Sequence, residues 1–161
     1  MPLFLITKGR VKRSILHVHV PKVAGSTVSS FFSQLGAYSY LDNKNNAAVG
    51  ALRCPAQHFH YSLLEQLLDF NHIQTAFVIV RNPLDRAKSD FLWAHRNVKD
   101  KRQIPSFYYW LNSMFAKYQR NPFVFDNHIR PQSQFTGPRI AIVRKIEDGL
   151  SEILRDVLST A

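Results

Sequence analysis

The sequence predicts an α/β fold in which a parallel sheet carries helices on both faces. Residues 14–20 and 75–80 are short apolar segments of the length and composition of strands, and a helical pattern follows each of them. The segment "RIAIV", at 139–143, is a third strand candidate. Because strands and helices alternate along the chain, we expect a three-layer α/β domain with its ligands at the carboxyl ends of the strands.

The helices are predicted from apolar residues at helical spacing. The first of them ends before Gly36, and the third begins directly after Pro83. The five predicted helices span residues 26–35, 61–68, 84–96, 107–118 and 150–158. The polar segment 42–50 is predicted to be a loop, and residues 121–132 are predicted to form a proline-containing connection.

The composition fits one folded domain that spans residues 1–161. Hydrophobic residues make up 45% of the chain, so the sequence can bury a core and is not typical of a disordered protein. Lys and Arg outnumber Asp and Glu by 21 − 11 = 10. This charge favours anionic partners: nucleotides, nucleic acid, sulfated or phosphorylated sugars, or an anionic membrane surface.

Cysteine content and hydropathy predict where the protein resides. Cys54 is the only cysteine, which excludes an intrachain disulfide and a cysteine-rich zinc cluster and suits a reducing compartment. The apolar run at the N-terminus is too short for a signal peptide, and no segment approaches the roughly 20 apolar residues of a membrane span. We therefore expect a cytoplasmic protein without a membrane span.

A lysine-bearing turn, "HVPKVAGST" at 19–27, joins the first predicted strand to the first predicted helix. Unpaired N–H groups at a helix start attract anions, and Gly25 lets the backbone approach one closely. Lys22 adds a mobile positive charge, while Ser26 and Thr27 add hydroxyl donors. A Walker A loop would place the lysine directly before the Ser or Thr, which is not the spacing here. The alternative is an ordinary strand–turn–helix junction with a surface lysine.

A second candidate anion site follows the strand at 75–80. Arg81 stands where this strand ends, and Arg86 and Ser89 are three residues apart on the next predicted helix, so they share a face. A guanidinium and a hydroxyl that converge at a helix start can hold a phosphate. The alternative is a solvated basic helix N-terminus, although positive charge there opposes the helix dipole.

Two histidines, in the stretch "CPAQHFHYSLL", are candidates for a general base near neutral pH. His58 and His60 alternate in an extended segment, so only one of them can readily face a given pocket. The alternative is that both histidines are structural.

These segments together resemble the sulfotransferases that use 3′-phosphoadenylyl sulfate (PAPS). "HVPKVAGST" is similar to the H-I-P-K-T-A-G-T-S donor loop of that family, and "RNPLDRAKS" matches its 3′-phosphate element, R-[DN]-P-x-x-R-x-x-S. The departures are Val20, Val23 and the order Ser-Thr at 26–27; Val23 lacks a hydroxyl that the family pattern has. The resemblance implies a P-loop-like (nucleotide-kinase-like) sheet flanked by helices. It also implies PAPS as donor, adenosine 3′,5′-bisphosphate (PAP) as product, and no metal.

The resemblance also assigns roles to the residues of both elements. Lys22 would contact the transferring sulfuryl group, and Gly25, Ser26 and Thr27 would supply donors of the loop. The 3′-phosphate would be bound by Arg81 and Ser89, with support from Arg86.

The expected base depends on which branch of the family is compared. The H-x-H element of 2-O-type glycan sulfotransferases favours His60, with His58 beside it. The "C-x-x-Q-H" stretch of bacterial members favours His58. We take His60 as the first candidate and His58 as the second.

The C-terminal third resembles the family as well. "NHIRPQ" at 127–132 occurs in bacterial members, and a K-x-E step follows it at 145–147. Within the first of these segments His128, Arg130 and Gln132 would either face the acceptor or brace the active site. The expected acceptor is a hydroxyl compound, by preference a carbohydrate. The resemblance covers residues 14–158, and because family domains usually extend further, we expect a C-terminally short or minimal domain.

Two alternatives to an enzyme that transfers sulfuryl groups follow from the same residues. A nucleotide- or nucleic-acid-binding module without catalysis would use the net charge and stack bases on Tyr108, Tyr109 and Trp110. These three aromatic residues lie in a helical pattern and are expected in the core, so nucleic acid is not the expected partner. A nucleotide kinase is the third hypothesis, and it would require magnesium-dependent turnover of ATP.

Overall fold

The computed structural model of the protein describes residues 2–8, 11–42 and 52–161. These residues form a mixed α/β fold. Its strands are β1 (Leu3–Lys8), β2 (Val11–Val18), β3 (Tyr38–Tyr40), β4 (Thr75–Val80) and β5 (Ile142–Lys145). Its helices are α1 (Gly25–Gln34), α2 (Tyr61–Leu67), α3 (Pro83–Ala94), α4 (Phe107–Arg120) and α5 (Leu150–Thr160).

The five strands form one sheet in the order β3-β1-β2-β4-β5. Strands β2, β4 and β5 are parallel, and the register pairs Val18 with Val78 and Val78 with Val143. The prediction of a parallel sheet is confirmed for these three strands. It is wrong for β1, which pairs antiparallel with both β2 and β3. Only two residues separate β1 from β2, and so short a connection can join only antiparallel neighbours.

Strand boundaries differ from the prediction by a few residues. β2 covers Val11–Val18 rather than 14–20, because the chain leaves the sheet after Val18 to form the lysine-bearing turn. β5 covers Ile142–Lys145 rather than 139–143. The five predicted helices are present, and their starts agree within one residue. The predicted loop 42–50 lies, apart from its first residue, outside the described residues.

The core lies on both sides of the parallel strands. Phe32 of α1 stacks on Phe4 of β1, with ring centroids 4.2 Å apart, and lies against Phe77 of β4. Helix α5 buries Ile153 and Val157 in the same apolar cluster. The two predicted anion sites lie on the segments that follow the carboxyl ends of β2 and β4.

The aromatic cluster of α4 differs from the prediction. Trp110 is buried, but Tyr108 and Tyr109 are 74% and 72% exposed, so the expectation that all three lie in the core is wrong. A helix that packs on one neighbour buries one face, and consecutive residues point in different directions around it. Of these three residues, Trp110 is the one that faces Phe91 of α3, with ring centroids 5.5 Å apart.

Among the described residues, none of the helices combines the length and the apolarity needed to cross a bilayer.

Candidate active site

A cavity of about 810 Å³ opens beside the carboxyl ends of β2 and β4. Lys22 from the turn after β2 and Arg81 from the end of β4 both line it. The other predicted site residues on its wall are Gly25, Ser26, His58, Ser89 and His128. The structure thus brings the two predicted anion sites together in one cavity, because neighbouring parallel strands end at the same edge of the sheet.

The lysine-bearing turn has an unusual backbone. Lys22 and Ala24 have φ values of 66° and 54°, in the left-handed region that side chains with a Cβ rarely occupy. Gly25 follows, buried beneath the imidazole ring of His19, and a Cβ on Gly25 would overlap that ring. Gly25 is therefore required by close packing, and the turn directs Lys22 into the cavity while α1 begins at the cavity wall.

Lys22 is held over an aromatic ring. Its Nζ lies 5.4 Å from the ring centroid of Trp93, and the guanidinium of Arg96 lies 3.9 Å from the same centroid. Burial lowers the pKa of Lys22; Asp90 opposes this shift, whereas Arg96 and Arg81 add to it. The positive charges of Lys22 and Arg81 therefore repel each other. Neither forms a salt bridge with any residue that the structure describes.

The backbone that carries Arg81 is fixed by two side chains. Gln132 accepts a hydrogen bond from the Arg81 N–H (2.9 Å) and donates one to its carbonyl (2.8 Å). Glu147, from the segment after β5, accepts a hydrogen bond from the backbone N–H of Asn82 (2.9 Å). Of the two roles weighed for Gln132, the structure places it as a brace of the active site.

Arg86 does not line the cavity, although a supporting role at the 3′-phosphate was expected. Its buried guanidinium donates to the backbone carbonyls of Pro21 (3.2 Å), Arg130 (3.0 Å) and His128. Arg86 therefore joins α3 to the lysine-bearing turn and to the segment 128–130. Arg86 supports the cavity without lining it, because its guanidinium donates to three backbone carbonyls within the protein.

The two candidate bases are placed differently. His58 is buried on the cavity wall, whereas His60 is not among the residues that line the cavity and has its ring 5.9 Å from Phe123. Burial lowers the pKa of His60 to about 4, and Arg130 adds to the shift. The structure thus places His58, the second candidate, on the cavity wall, whereas His60, the first candidate, is outside the set of residues that line it. Thr27 is exposed and, like His60, is not among the residues that line the cavity.

His58 has a defined tautomer. Its Nδ1 lies 3.0 Å from the backbone carbonyl of Asp126. Because a carbonyl only accepts hydrogen bonds, Nδ1 carries the proton and Nε2 keeps its lone pair. Burial holds the pKa of His58 well below its usual range, and the neighbouring His128 and Arg86 lower it further.

His128 forms the closest ionisable pair of the site. Its Nδ1 lies 2.6 Å from Oδ1 of Asp90, and both side chains are buried. Its ring stacks on Trp93 with centroids 5.2 Å apart and meets the ring of His58 edge-on at 4.9 Å. His128 thus faces the cavity, whereas Arg130 is used within the fold, where it donates to Asn127 (3.0 Å) and Pro122 (3.0 Å).

A left-handed turn supports both histidines. Phe125, Asp126 and Asn127 have φ values of 53°, 52° and 65°, a strained run for residues that are not glycine. The buried Asn127 amide donates to the His58 carbonyl (2.9 Å) and to the sulfur of Cys54 (3.2 Å). Burial raises the pKa of Cys54 to about 11, so this thiol is a packed structural group.

Sequence reasoning missed two residues that line this cavity, Trp93 and His19, and one residue, Asp90, that pairs with the cavity residue His128. Asp90 follows Arg86 by four residues, and two charged side chains on the buried face of a helix are a signal that could have been used. Trp93 lies on the next turn of the same helix. His19 precedes the lysine-bearing turn, and its packing on Gly25 could not be foreseen, because it depends on the course of the backbone.

The fold and the cavity define an α/β protein with a cationic pocket at the carboxyl ends of its parallel strands. The sequence profile described as "Sulfotransferase family" matches residues 8–157, which is most of the chain. The protein therefore belongs to the sulfotransferase family, and sulfuryl transfer is the activity that this membership supports. No curated protein and no solved structure matches the chain.

Proposed function

We propose that the protein transfers a sulfuryl group from PAPS to a hydroxyl group, with a carbohydrate as the preferred acceptor. One observation carries the proposal: Lys22 and Arg81, which form no salt bridge with a described residue, line the same cavity. PAPS is anionic at both its phosphosulfate end and its 3′-phosphate. A pocket with two separate cationic groups complements such a donor better than one that is charged at a single end.

The described residues fit both ends of the donor. The N-terminus of α1, with Gly25 and Ser26, and the ammonium group of Lys22 suit the phosphosulfate. Arg81 and Ser89, on the neighbouring strand end and helix, suit the 3′-phosphate. The parallel strands β2, β4 and β5 also support the P-loop-like layering that the proposal includes. Cytoplasmic location stays a prediction.

In the proposed reaction, the acceptor oxygen attacks sulfur in line with the bond to the 5′-phosphate. That bond breaks, PAP leaves with the electron pair, and the hydroxyl proton passes to a base of the cavity. Lys22 stabilises the negative charge that builds up on the bridging and sulfuryl oxygens, and its semi-buried location strengthens this effect. A nucleotide kinase is less well supported, because Arg81 occupies the end of β4, where an acidic residue would be needed for magnesium.

Calorimetry with PAP, AMP and ATP tests the proposal. We expect tighter binding of PAP than of AMP by about tenfold or more, since a hydrogen bond to a charged group contributes roughly 1.5–3 kcal/mol. Arg81→Ala should remove this preference, and Lys22→Ala should weaken PAPS binding and slow transfer. Arg102→Ala is the matched control, because Arg102 is exposed and paired with Asp100. Equal affinity of the wild-type protein for PAP and AMP would contradict the donor assignment.

The second candidate function, a binding module without catalysis, is favoured only by the exposure of Tyr108 and Tyr109. It predicts oligonucleotide binding with a steep dependence on salt and no preference for PAP. Release of PAP from PAPS together with a sulfated acceptor, measured on a panel of glycans, would exclude it.

A further inference from the structure

We infer that His128, oriented by Asp90, is the catalytic base that takes the proton of the acceptor hydroxyl. The inference rests on the proposed sulfuryl transfer and names a residue pair that neither the lysine-bearing turn nor the 3′-phosphate element contains. His128 lines the same cavity as Lys22 and Ser89, so its ring faces the space in which the donor is proposed to bind.

The contact with Asp90 fixes which nitrogen of His128 is available. A carboxylate only accepts hydrogen bonds, so Nδ1 of His128 donates to Asp90 Oδ1 across 2.6 Å and Nε2 keeps a free lone pair. Asp90 is 1% exposed, so its negative charge is poorly screened by water. The carboxylate can therefore balance the positive charge that His128 gains when it accepts a proton, as in a His–Asp pair of hydrolases.

The ring of His128 is also held in place. Trp93 stacks on one side, His58 contacts it edge-on and Phe125 packs at 4.9 Å. The backbone carbonyl of His128 accepts a hydrogen bond from the buried Arg86. A base held in one orientation loses little entropy in the transition state, which is the arrangement that proton transfer favours.

His58 is the less suitable base on physical grounds. Its Nδ1 donates to a backbone carbonyl, which carries no charge to balance an imidazolium ion. Burial and the proximity of His128 and Arg86 hold its pKa well below the usual range, so proton uptake is unfavourable. Nε2 of His58 can still accept a hydrogen bond from the acceptor hydroxyl and orient it. We therefore assign proton removal to His128 and orientation to His58.

The proposed transfer forms one bond to sulfur and breaks one. The acceptor oxygen forms a bond to sulfur, the bond between sulfur and the 5′-phosphate oxygen breaks, and PAP leaves with that electron pair. The hydroxyl proton moves to Nε2 of His128, which later returns it to solvent. Asp90 is a positioning residue: it keeps the Nδ1 proton on His128 and takes no proton itself.

The first test is chemical rescue of a His128→Ala variant. With PAPS as donor and chemically desulfated heparin as acceptor, kcat should fall by about 100-fold or more, the usual contribution of a general base. Added imidazole should restore part of the rate, because it can occupy the space that the deleted ring leaves. His58→Ala should also be slower but should not respond to imidazole. Rescue of His58→Ala alone, or full activity of His128→Ala, would overturn the assignment.

The second test uses substitutions that preserve the buried polar contact, so that a loss of activity cannot be explained by misfolding. His128→Gln retains an amide that can donate to Asp90, and Asp90→Asn retains an oxygen that can accept from His128. Both variants should bind PAP with wild-type affinity but lose at least tenfold in kcat. The wild-type protein should show a low-field Nδ1 proton resonance of His128 that is absent from Asp90→Asn. Undiminished turnover in both variants would overturn the role of the pair.

The same assays separate the inference from the proposed function. If the wild-type protein transfers sulfuryl groups but His128→Gln is equally active, only the inference fails. If the wild-type protein releases PAP from PAPS neither with the heparin acceptor nor with water, the proposed function fails and the inference fails with it.

Discussion

His17 lies in the middle of the parallel sheet, where an ionisable side chain is unexpected. It is fully buried, its ring stacks on Phe77 with centroids 4.6 Å apart, and neither ring nitrogen has a hydrogen-bond partner among the described residues. Burial lowers the pKa of His17 to about 3. In the folded state this histidine is therefore neutral, and it acts as an aromatic core residue.

This burial predicts a loss of stability in mild acid. The unfolded chain binds a proton at His17 below pH 6.5, whereas the folded protein does so only near pH 3, so stability is complete above pH 6.5 and falls as the pH is lowered. Between pH 6.5 and 5 the loss should be about 2 kcal/mol from this residue. Urea unfolding of wild type and His17→Leu measures it.

The His17→Leu variant should lose stability less steeply with falling pH, because it cannot take up this proton in the unfolded state. Above pH 7 the two stability curves should run parallel, which provides the control. Identical slopes for both proteins between pH 6.5 and 5 would show that His17 is not protonated on unfolding.

At the scale of elements, we expect the start of α3 to contribute both to stability and to binding of the proposed donor, PAPS. The side chain of Asn82 caps the helix and accepts hydrogen bonds from the N–H groups of Leu84 (2.9 Å) and Asp85 (3.3 Å). Arg81 precedes the cap and Ser89 follows on the helix, so the cap holds both predicted 3′-phosphate ligands in place.

Asn82→Ala should therefore reduce both properties. Loss of the cap should cost about 1 kcal/mol in the free energy of unfolding and should weaken PAP binding. Ser106→Ala is the matched control. Ser106 caps α4 by accepting a hydrogen bond from the N–H of Tyr109 (3.3 Å), and α4 carries none of the residues proposed to bind PAP. A similar loss of stability with unchanged PAP affinity is expected there. If Asn82→Ala leaves PAP affinity unchanged as well, the cap has no part in the site.

Some elements could be predicted from the sequence, whereas others could not. Local pattern was sufficient to predict β4 with its bounds, and α3 within two residues, because a buried strand and an amphipathic helix are encoded by neighbouring residues. For the left-handed turn at 125–127, the sequence predicts only a proline-containing connection. Its φ values are imposed by hydrogen bonds of Asn127 and Asp126 to residues about 70 positions earlier, which no local pattern contains.

For the molecule as a whole, the net charge of +10 predicts a dependence on ionic strength. Raising the salt concentration from about 0.1 M to 1 M shortens the screening length from about 10 Å to about 3 Å. The affinity for PAP should fall across this range, because Lys22, Arg81 and the surrounding positive charge attract its phosphates. Binding of adenosine, an uncharged control ligand, should change little. A salt-independent affinity for PAP would contradict an electrostatic site.

The amino-acid sequence alone was sufficient to identify the class of the protein. The segments 19–27 and 81–89 each resemble a family element within nine residues, the second at all of its fixed positions, and each directly follows a strand of apolar composition. The tertiary structure decided which side chains share the cavity. It placed His58 rather than His60 on the wall, turned Arg86 and Gln132 into braces, and paired His128 with Asp90. These outcomes depend on contacts between residues 38 to 69 positions apart, which only the folded backbone brings within hydrogen-bonding distance.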